Sequence, residues 1–389
     1  MKKVFLVALV FFVAMCAFGN NLWQKTFGGS NDEIAHSVQQ TDDGGYILAG
    51  YTMPLGGTSN AYFVRLDANG SKLWEKTFGG HGDDVARFVQ QTSDGGYIVV
   101  GYTKSLGAGG ADVYVLKMDP KGNKLWEKTF GGSGDDGAYS VQQVDDGGYI
   151  VAGYTSSFGA GESDIYVLRL DVDGNKVWER TFGGRSSEEA LFVRKLSDAG
   201  FVVAGYTNSL GAGGNDAYVL KLDANGNRVW EKVFGGNVDD AAYCIQQTID
   251  GGYIVVGFTR SFGAGKSDFH VLKLDSDGNK MWEKTFGGNS DDFARCVQQT
   301  SDGGYIVAGD TWSLGSGACD VYVLKLDAGG KVLWQKVYGG SRLDYAYSVQ
   351  QTKEGGYILA GGTSSFGSGG LDVYVIKMDA QGKTGPYAQ

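Results

Sequence analysis

The sequence predicts an all-β fold, a seven-bladed β-propeller with four antiparallel strands per blade, and three observations carry that expectation. Tryptophan recurs at Trp23, Trp74, Trp126, Trp178, Trp230, Trp282 and Trp334, spaced by 51 residues once and by 52 residues five times. Each interval holds four short runs rich in Val, Ile, Tyr, Phe and Thr, bounded by Gly, Asp and Asn clusters, and none shows helical spacing of apolar residues. The two ends carry complementary leftovers: a lone D-type strand at 22–27 and a final C-type strand at 373–378 with no D partner after it. Four antiparallel strands at a period of roughly 40–50 residues read as a propeller blade.

Taken in chain order, Lys2 and Lys3 precede an uncharged apolar run over 4–18, and Ala17-Phe18-Gly19 offers small residues at a cleavage site. Residues 1–19 are therefore expected to be a secretory signal. Lipidation at Cys16 is the alternative, but Met15 is large where a small residue is wanted. Residues 20–383 form one propeller, with 384–389 as a tail. The blades fall near 30–80, 81–132, 133–184, 185–236, 237–288 and 289–340, with 341–383 plus 21–29 as the last.

In the first copy the strands are expected at 37–41 (A), 46–52 (B), 61–67 (C) and 72–78 (D). Between C and D, Asp67-Ala68-Asn69-Gly70 and its equivalents fit a type I turn with glycine in the left-handed position after it. Pro120, at the second position of its copy, suits type I and excludes type I′. Apolar neighbours such as Leu73-Trp74 imply that both sheet faces are buried against adjacent blades. A ring in which the N-terminal strand completes the seventh blade leaves no open edge at the junction, whereas an open stack would carry atypical capping units.

Composition narrows the partners. Without Lys2 and Lys3 the chain has 32 basic and 44 acidic side chains. Such a surface repels phosphate backbones and anionic membranes, so nucleic acid is excluded as a partner, while a cation or basic partner is allowed. The mature chain shows no membrane-spanning run, and a monomer is expected. Cys244, Cys296 and Cys319 match no zinc spacing, and three is an odd number for a disulfide framework. They read as small core residues.

The repeated Trp…Phe-Gly-Gly…Asp-Asp…Gly-Tyr-Thr…Asp-x-Tyr-Val…Lys-Leu-Asp-x-x-Gly-Asn pattern resembles the bacterial and archaeal beta-propeller repeat (SBBP-like) modules of secreted and cell-surface proteins. The resemblance covers residues 20–383 and implies an extracytoplasmic propeller with no general enzymatic activity. The Leu-Asp-x-x-Gly-Asn-Lys-x-Trp portion is also similar to the tryptophan motif of quinoprotein dehydrogenases. Those usually have eight blades and many carry adjacent cysteines; this sequence has seven such tryptophans and no adjacent cysteines. No cofactor is expected.

Catalytic signatures are missing: there is no Gly-x-Ser-x-Gly, no His-Glu-x-x-His and no metal-spaced cysteine pair. Gly265-Lys266-Ser267 and Gly382-Lys383-Thr384 are chance likenesses of a phosphate loop, since Arg260 and Lys377 stand where its first glycine belongs and both lie in β-repeats. His36, His81 and His270 occupy three different frames of the repeat, which suits surface or packing roles. No catalytic and no metal-binding residue is expected.

Propellers bind ligands where the D–A and B–C loops gather at one mouth of the channel, and two features map there. An acidic residue opens strand A in every copy: Glu33, Asp84, Asp136, Glu188, Asp240, Asp292 and Asp344. Either each carboxylate accepts hydrogen bonds from its own Gly-rich loop, which is the preferred reading, or the ring concentrates a cation or basic ligand. Three residues later the copies disagree, with His36, Arg87, Tyr139, Leu191, Tyr243, Arg295 and Tyr347. Tyr and Arg are favoured at binding hot spots, although a variable solvent-facing position would look the same. Symmetry is broken further by Arg185-Ser186-Ser187-Glu188-Glu189 and Arg194-Lys195 in the fourth unit and by Asp310 and Trp312 in the sixth. The paired aspartates Asp171/Asp173 and Asp275/Asp277 read as turn residues, because the other calcium ligands are absent.

The expected function is a secreted, non-catalytic binding or scaffolding propeller that takes a cell-surface glycan or protein at the D–A/B–C mouth. The alternatives are an enzyme of the glycan lyase or hydrolase kind at the same mouth, or a purely structural envelope protein.

Overall fold

The computed structural model describes residues 22–387, so the signal expected over 1–19, and Cys16 with it, lie outside the described residues. Twenty-eight strands form seven four-stranded antiparallel sheets, each running from strand A at the channel to strand D at the rim. In blade 1 these are Asp32–Gln40, Tyr46–Met53, Asn60–Leu66 and Lys72–Phe78. The A strands of neighbouring blades pack on one another around the axis.

The ring closes through its ends. The N-terminal strand Trp23–Phe27 pairs antiparallel with Asp372–Met378, from Trp23↔Lys377 to Phe27↔Val373, and completes the seventh sheet. Residues 384–387, expected to be a tail, run back beside that strand: Gln24 Nε2 donates to the Gly385 carbonyl at 3.1 Å, and the Tyr387 ring stacks on Phe366 at 4.5 Å.

Packing between blades explains the tryptophan period. Each D-strand indole lies edge-on to an aromatic ring of the next blade's strand B, as Trp74 does to Tyr97 at 6.2 Å. It also covers that blade's C–D turn glycine. A Cβ on Gly122 would stand 2.9 Å from the Trp74 ring, and one on Gly70 would stand 2.6 Å from Trp23. These turn glycines, with φ of +76° and +74°, are thus demanded twice, by the left-handed backbone and by the neighbouring indole. The Trp23–Gly70 contact joins blade 7 to blade 1.

Strand A differs from expectation in where it starts. It begins at Asp32 rather than residue 37, and the pairing with strand B runs on through an irregularity: Ala35 opposes Gly50 and Ser37 opposes Ala49, so His36 is left as the extra residue of a β-bulge. Strand C starts one residue earlier than expected and ends at Leu66. Asp67 instead belongs to the turn, where its carboxylate accepts from the Asn69 and Ser71 amides at 2.8 and 2.7 Å.

Candidate binding site at the channel mouth

The bulge recurs in all seven blades, and its extra residues are His36, Arg87, Tyr139, Leu191, Tyr243, Arg295 and Tyr347. The facing residue on strand B is always glycine. At Gly50, and at its equivalents, a Cβ would collide with the carbonyl two residues before the bulge. The glycine column inside strand B therefore permits the close approach, and the bulge re-aims one side chain per blade. All seven of these side chains line a single cavity of about 200 Å³ at the end of the channel where the D–A and B–C loops gather.

The walls are aromatic and their charges are unevenly paired. Arg295 donates to Asp310 through Nε at 2.9 Å and Nη2 at 3.3 Å, and its guanidinium lies over the Tyr243 and Phe293 rings, 4.9 Å from each centroid. Burial alone would lower its pKa, but Asp310 and Tyr243 outweigh that and raise it. Arg87 lies over Tyr102 at 5.8 Å and Tyr139 at 5.6 Å, and Nη1 meets His36 Nε2 at 3.1 Å. Burial, then the charges of Arg87 and Arg295, push the His36 pKa well below the usual value, so the imidazole is neutral at pH 7. Glu189 is shifted upward by burial, against the pull of the Tyr206 and Tyr139 hydroxyls.

The seven strand-opening acids do not face this cavity as a ring of free carboxylates. Each is buried and accepts an amide hydrogen bond from its own D–A loop, for example Gly80 N to Asp84 at 2.8 Å and Gly288 N to Asp292 at 2.9 Å. Serine hydroxyls add to this at Asp84, Asp136, Asp240, Asp292 and Asp344, as with Ser313 Oγ to Asp292 at 2.7 Å. Six of the seven also sit next to the preceding blade's strand-C acid across a D–A glycine, while Asn60 takes that place beside Asp84. At the closure this proximity, after burial itself, raises the Asp372 pKa to about 6 beside Glu33 and Asp32.

Below the cavity the channel is filled. Phe88 of blade 2 and Phe192 of blade 4 meet across the lumen with centroids 5.8 Å apart, and the Arg194 guanidinium lies 4.4 Å from the Phe192 ring and 5.4 Å from Phe88. A second chamber, of about 160 Å³ and lined by glutamines, lies beyond them and shares Phe88, Phe192, Cys296 and Ser348 as a common wall.

Sequence reasoning singled out the bulge residues but missed a second layer. Strand B contributes Tyr51, Tyr102, Tyr154, Tyr206 and Phe258 beside them, as shown by the ring contacts His36–Tyr51 at 5.7 Å, Tyr139–Tyr154 at 5.9 Å and Tyr243–Phe258 at 5.6 Å. The signal was the tyrosine of the repeated Gly-Tyr-Thr, replaced by Phe258 in one copy and lost at Asp310 and Gly362 in two others. The other histidines stay apart from the mouth: His81 is exposed, and buried His270 pairs with Glu283 at 2.6 Å. Asp171 and Asp275 cap their own turns, accepting from Asn175 N at 2.7 Å and Asn279 N at 2.8 Å. Among the described residues no group of three or more His, Cys, Asp or Glu is placed to hold a metal ion, and no helix is long and apolar enough to cross a membrane. The arrangement is a propeller scaffold able to bind a ligand at its loop mouth.

Comparison with known proteins agrees with the architecture. A family model described as outer membrane protein assembly factor BamB matches residues 14–257 and again 162–380. The regulatory protein FlaEY of Caulobacter vibrioides is 24% identical over 374 residues, covering 87% of this chain and 37% of that protein, so the chain spans little more than a third of this relative. The WD40 domain of Neurospora crassa Pan2 superposes with a TM-score of 0.53 at 14% identity, covering 93% of this chain and 92% of that one. Sqt1 from Chaetomium thermophilum gives 0.52 at 12% identity, covering 88% and 82%. At such identities the two structures share the fold alone with this chain.

Proposed function

The chain belongs to the family of the outer membrane protein assembly factor BamB, and from that premise we propose that it is an exported, non-catalytic binding or scaffolding propeller whose D–A/B–C mouth engages a cell-surface glycan or protein. One observation carries the reading: seven side chains of four kinds, each the extra residue of an equivalent bulge, converge on one cavity. A position that only packs would repeat, as Val38, Val89 and Val141 do. The apolar run over 4–18 and the family match support a location outside the cytoplasm. Against catalysis stands the state of the mouth's titrating groups: His36 has its Nε2 against the Arg87 guanidinium, and Arg295 is held by Asp310. Catalysis needs a positioned nucleophile or base with room beside it.

The test is a glycan and peptide array probed with the mature protein and with Leu191→Trp, which fills the cavity from its one aliphatic wall. The expected result is a saturable ligand for the wild type that the variant loses while keeping the same melting temperature. Chemical turnover of an arrayed compound, or binding indifferent to Leu191→Trp, would overturn the reading.

A further inference from the structure

The mouth holds two arginines in different electrical states. Asp310 neutralises Arg295 with a two-point contact. Arg87 has no such partner. Its Nη1 meets a neutral imidazole, its ring neighbours are the phenols of Tyr102 and Tyr139, and its Nε is buried without a hydrogen-bond partner among the described residues. Glu189, the acid whose field reaches Arg87, is engaged by the Tyr206 and Tyr139 hydroxyls and makes no hydrogen bond or ion pair with Arg87 among the described residues. A buried guanidinium donor left unmade is costly, and a planar carboxylate is the group whose geometry it matches. Among the residues that line the cavity itself the charges are thus two arginines and no acid, on a chain whose formal net charge is −10.

The shape of the site limits what can bring that carboxylate. The cavity, at about 200 Å³, is smaller than the roughly 300–1,000 Å³ of pockets that enclose a whole drug-sized ligand. Phe88, Phe192 and Arg194 close its floor, so a chain cannot thread through it. It admits the end of something larger. Tyrosine faces with hydroxyl edges suit a sugar ring, which offers C–H surface on its faces and hydroxyls around its rim. An extended peptide would need free backbone donors, and the mouth supplies side chains instead.

We propose that the mouth recognises a terminal acidic sugar, its carboxylate received by Arg87 and its ring held among Tyr102, Tyr139 and Leu191. This rests on the mouth being the binding site, and the experiment separates the two ideas. Binding is measured by calorimetry with a glucuronate-terminated disaccharide, with the glucose-terminated disaccharide of the same linkage, and with an acetylated dipeptide bearing a free C-terminal carboxylate. The proteins are the wild type, Arg87→Gln, Arg87→Lys and Leu191→Trp, each checked for an unchanged melting temperature.

The wild type should prefer the glucuronate over the glucose disaccharide by roughly 10- to 100-fold, the scale of one charged hydrogen-bonded contact. Arg87→Gln should abolish that preference, so that the two disaccharides bind with the same affinity. Arg87→Lys should restore part of the preference, and Leu191→Trp should remove binding of both disaccharides. Equal binding of the two disaccharides, unaffected by Arg87→Gln but lost in Leu191→Trp, would overturn the acidic-sugar inference and leave the mouth as the site. Preference for the dipeptide, or no binding of either sugar, would also overturn it. Binding that survives Leu191→Trp would overturn both ideas together.

Discussion

The two ends of the channel are built from the same seven strands, three residues apart, yet they obey opposite rules. At the upper end the position of His36 changes from blade to blade. At the lower end Gln39, Gln90, Gln142, Gln246, Gln298 and Gln350 repeat, with Arg194 the exception. The reason is visible in their partners. Gln39 Oε1 accepts the Gln91 amide of the next blade at 2.6 Å, Gln90 accepts from Gln143 at 2.7 Å, and Gln350 returns to Gln40 at 2.6 Å. A side chain that satisfies a neighbour's backbone is held to one chemistry. A bulge residue that faces open space is not, and variation there is available for recognition. The lower end thus stitches the blades together, and the upper end is free to be different.

Both ends depend on closure, so the largest expected effect comes from removing the N-terminal strand. Deleting residues 20–29 strips the pairing partner of Asp372–Met378 and exposes the surfaces that bury Trp23, which is 3% exposed. At about 25 cal/mol per Å² and roughly 150–250 Å² for a large aromatic, that indole alone contributes up to about 4–6 kcal/mol. The expected outcome is a protein that melts far lower and aggregates through the open edge, read by calorimetry and gel filtration. A monomeric deletion variant with an unchanged melting temperature would contradict a closed ring and dissolve both mouths with it.

The next effect separates the strand-opening acids from the bulge residues. Asp292 is buried and accepts from Gly288 N, Ser313 Oγ and Thr311 Oγ1. Asp292→Ala strands three donors and should cost roughly 3 kcal/mol, given about 1.5–3 kcal/mol for a hydrogen bond to a charged group and imperfect additivity. Tyr347→Phe, at the bulge of the following blade, removes a hydroxyl that makes no hydrogen bond among the described residues and should stay within about 0.5 kcal/mol. Chemical denaturation of both variants measures the contrast. Equal losses would mean that the bulge layer is as structural as the acid layer.

How much of this was legible in the sequence follows the same division. The tryptophan period, the four runs per unit and the complementary ends are local or additive features, and they were sufficient for the closed seven-bladed ring. The bulge was not read, because strand register depends on which residues face each other across the sheet. Its trace was nevertheless present in the glycine that interrupts every strand B, from Gly50 to Gly361. The tyrosine layer was seen only as part of a repeated phrase, since nothing in one strand says how far a side chain reaches towards the axis. The Phe88–Phe192 contact joins blades 2 and 4, and only the width of the lumen decides it. Arg194, noticed for replacing a glutamine, finds its meaning there, as the guanidinium that lies against both rings.

Blade 4 also departs from the others at the lower end, where the smallest predicted effect tests whether such departures carry function. In six blades the A–B turn holds a glycine with φ between 79° and 86°, at Gly44, Gly95, Gly147, Gly251, Gly303 and Gly355, whereas blade 4 has Ala199 at φ 63°. An alanine in the left-handed region is disfavoured by about 1–2 kcal/mol, and a glycine there regains this minus its larger unfolded-state entropy of roughly 0.4–1 kcal/mol. Ala199→Gly should therefore stabilise the protein by about 0.5–1 kcal/mol and raise its melting temperature by about 1–3 °C. Ala199 lies with Trp178 and Lys195 in a shallow surface depression between blades 3 and 4, at the end of the ring away from the bulges. Ligand affinity at the upper mouth should not change. If the glycine variant were instead less stable, the strained alanine would have a compensating contact. If it altered ligand binding, the lower end would have to be counted as part of the recognition surface, and the separation between a stitching end and a recognising end would fail.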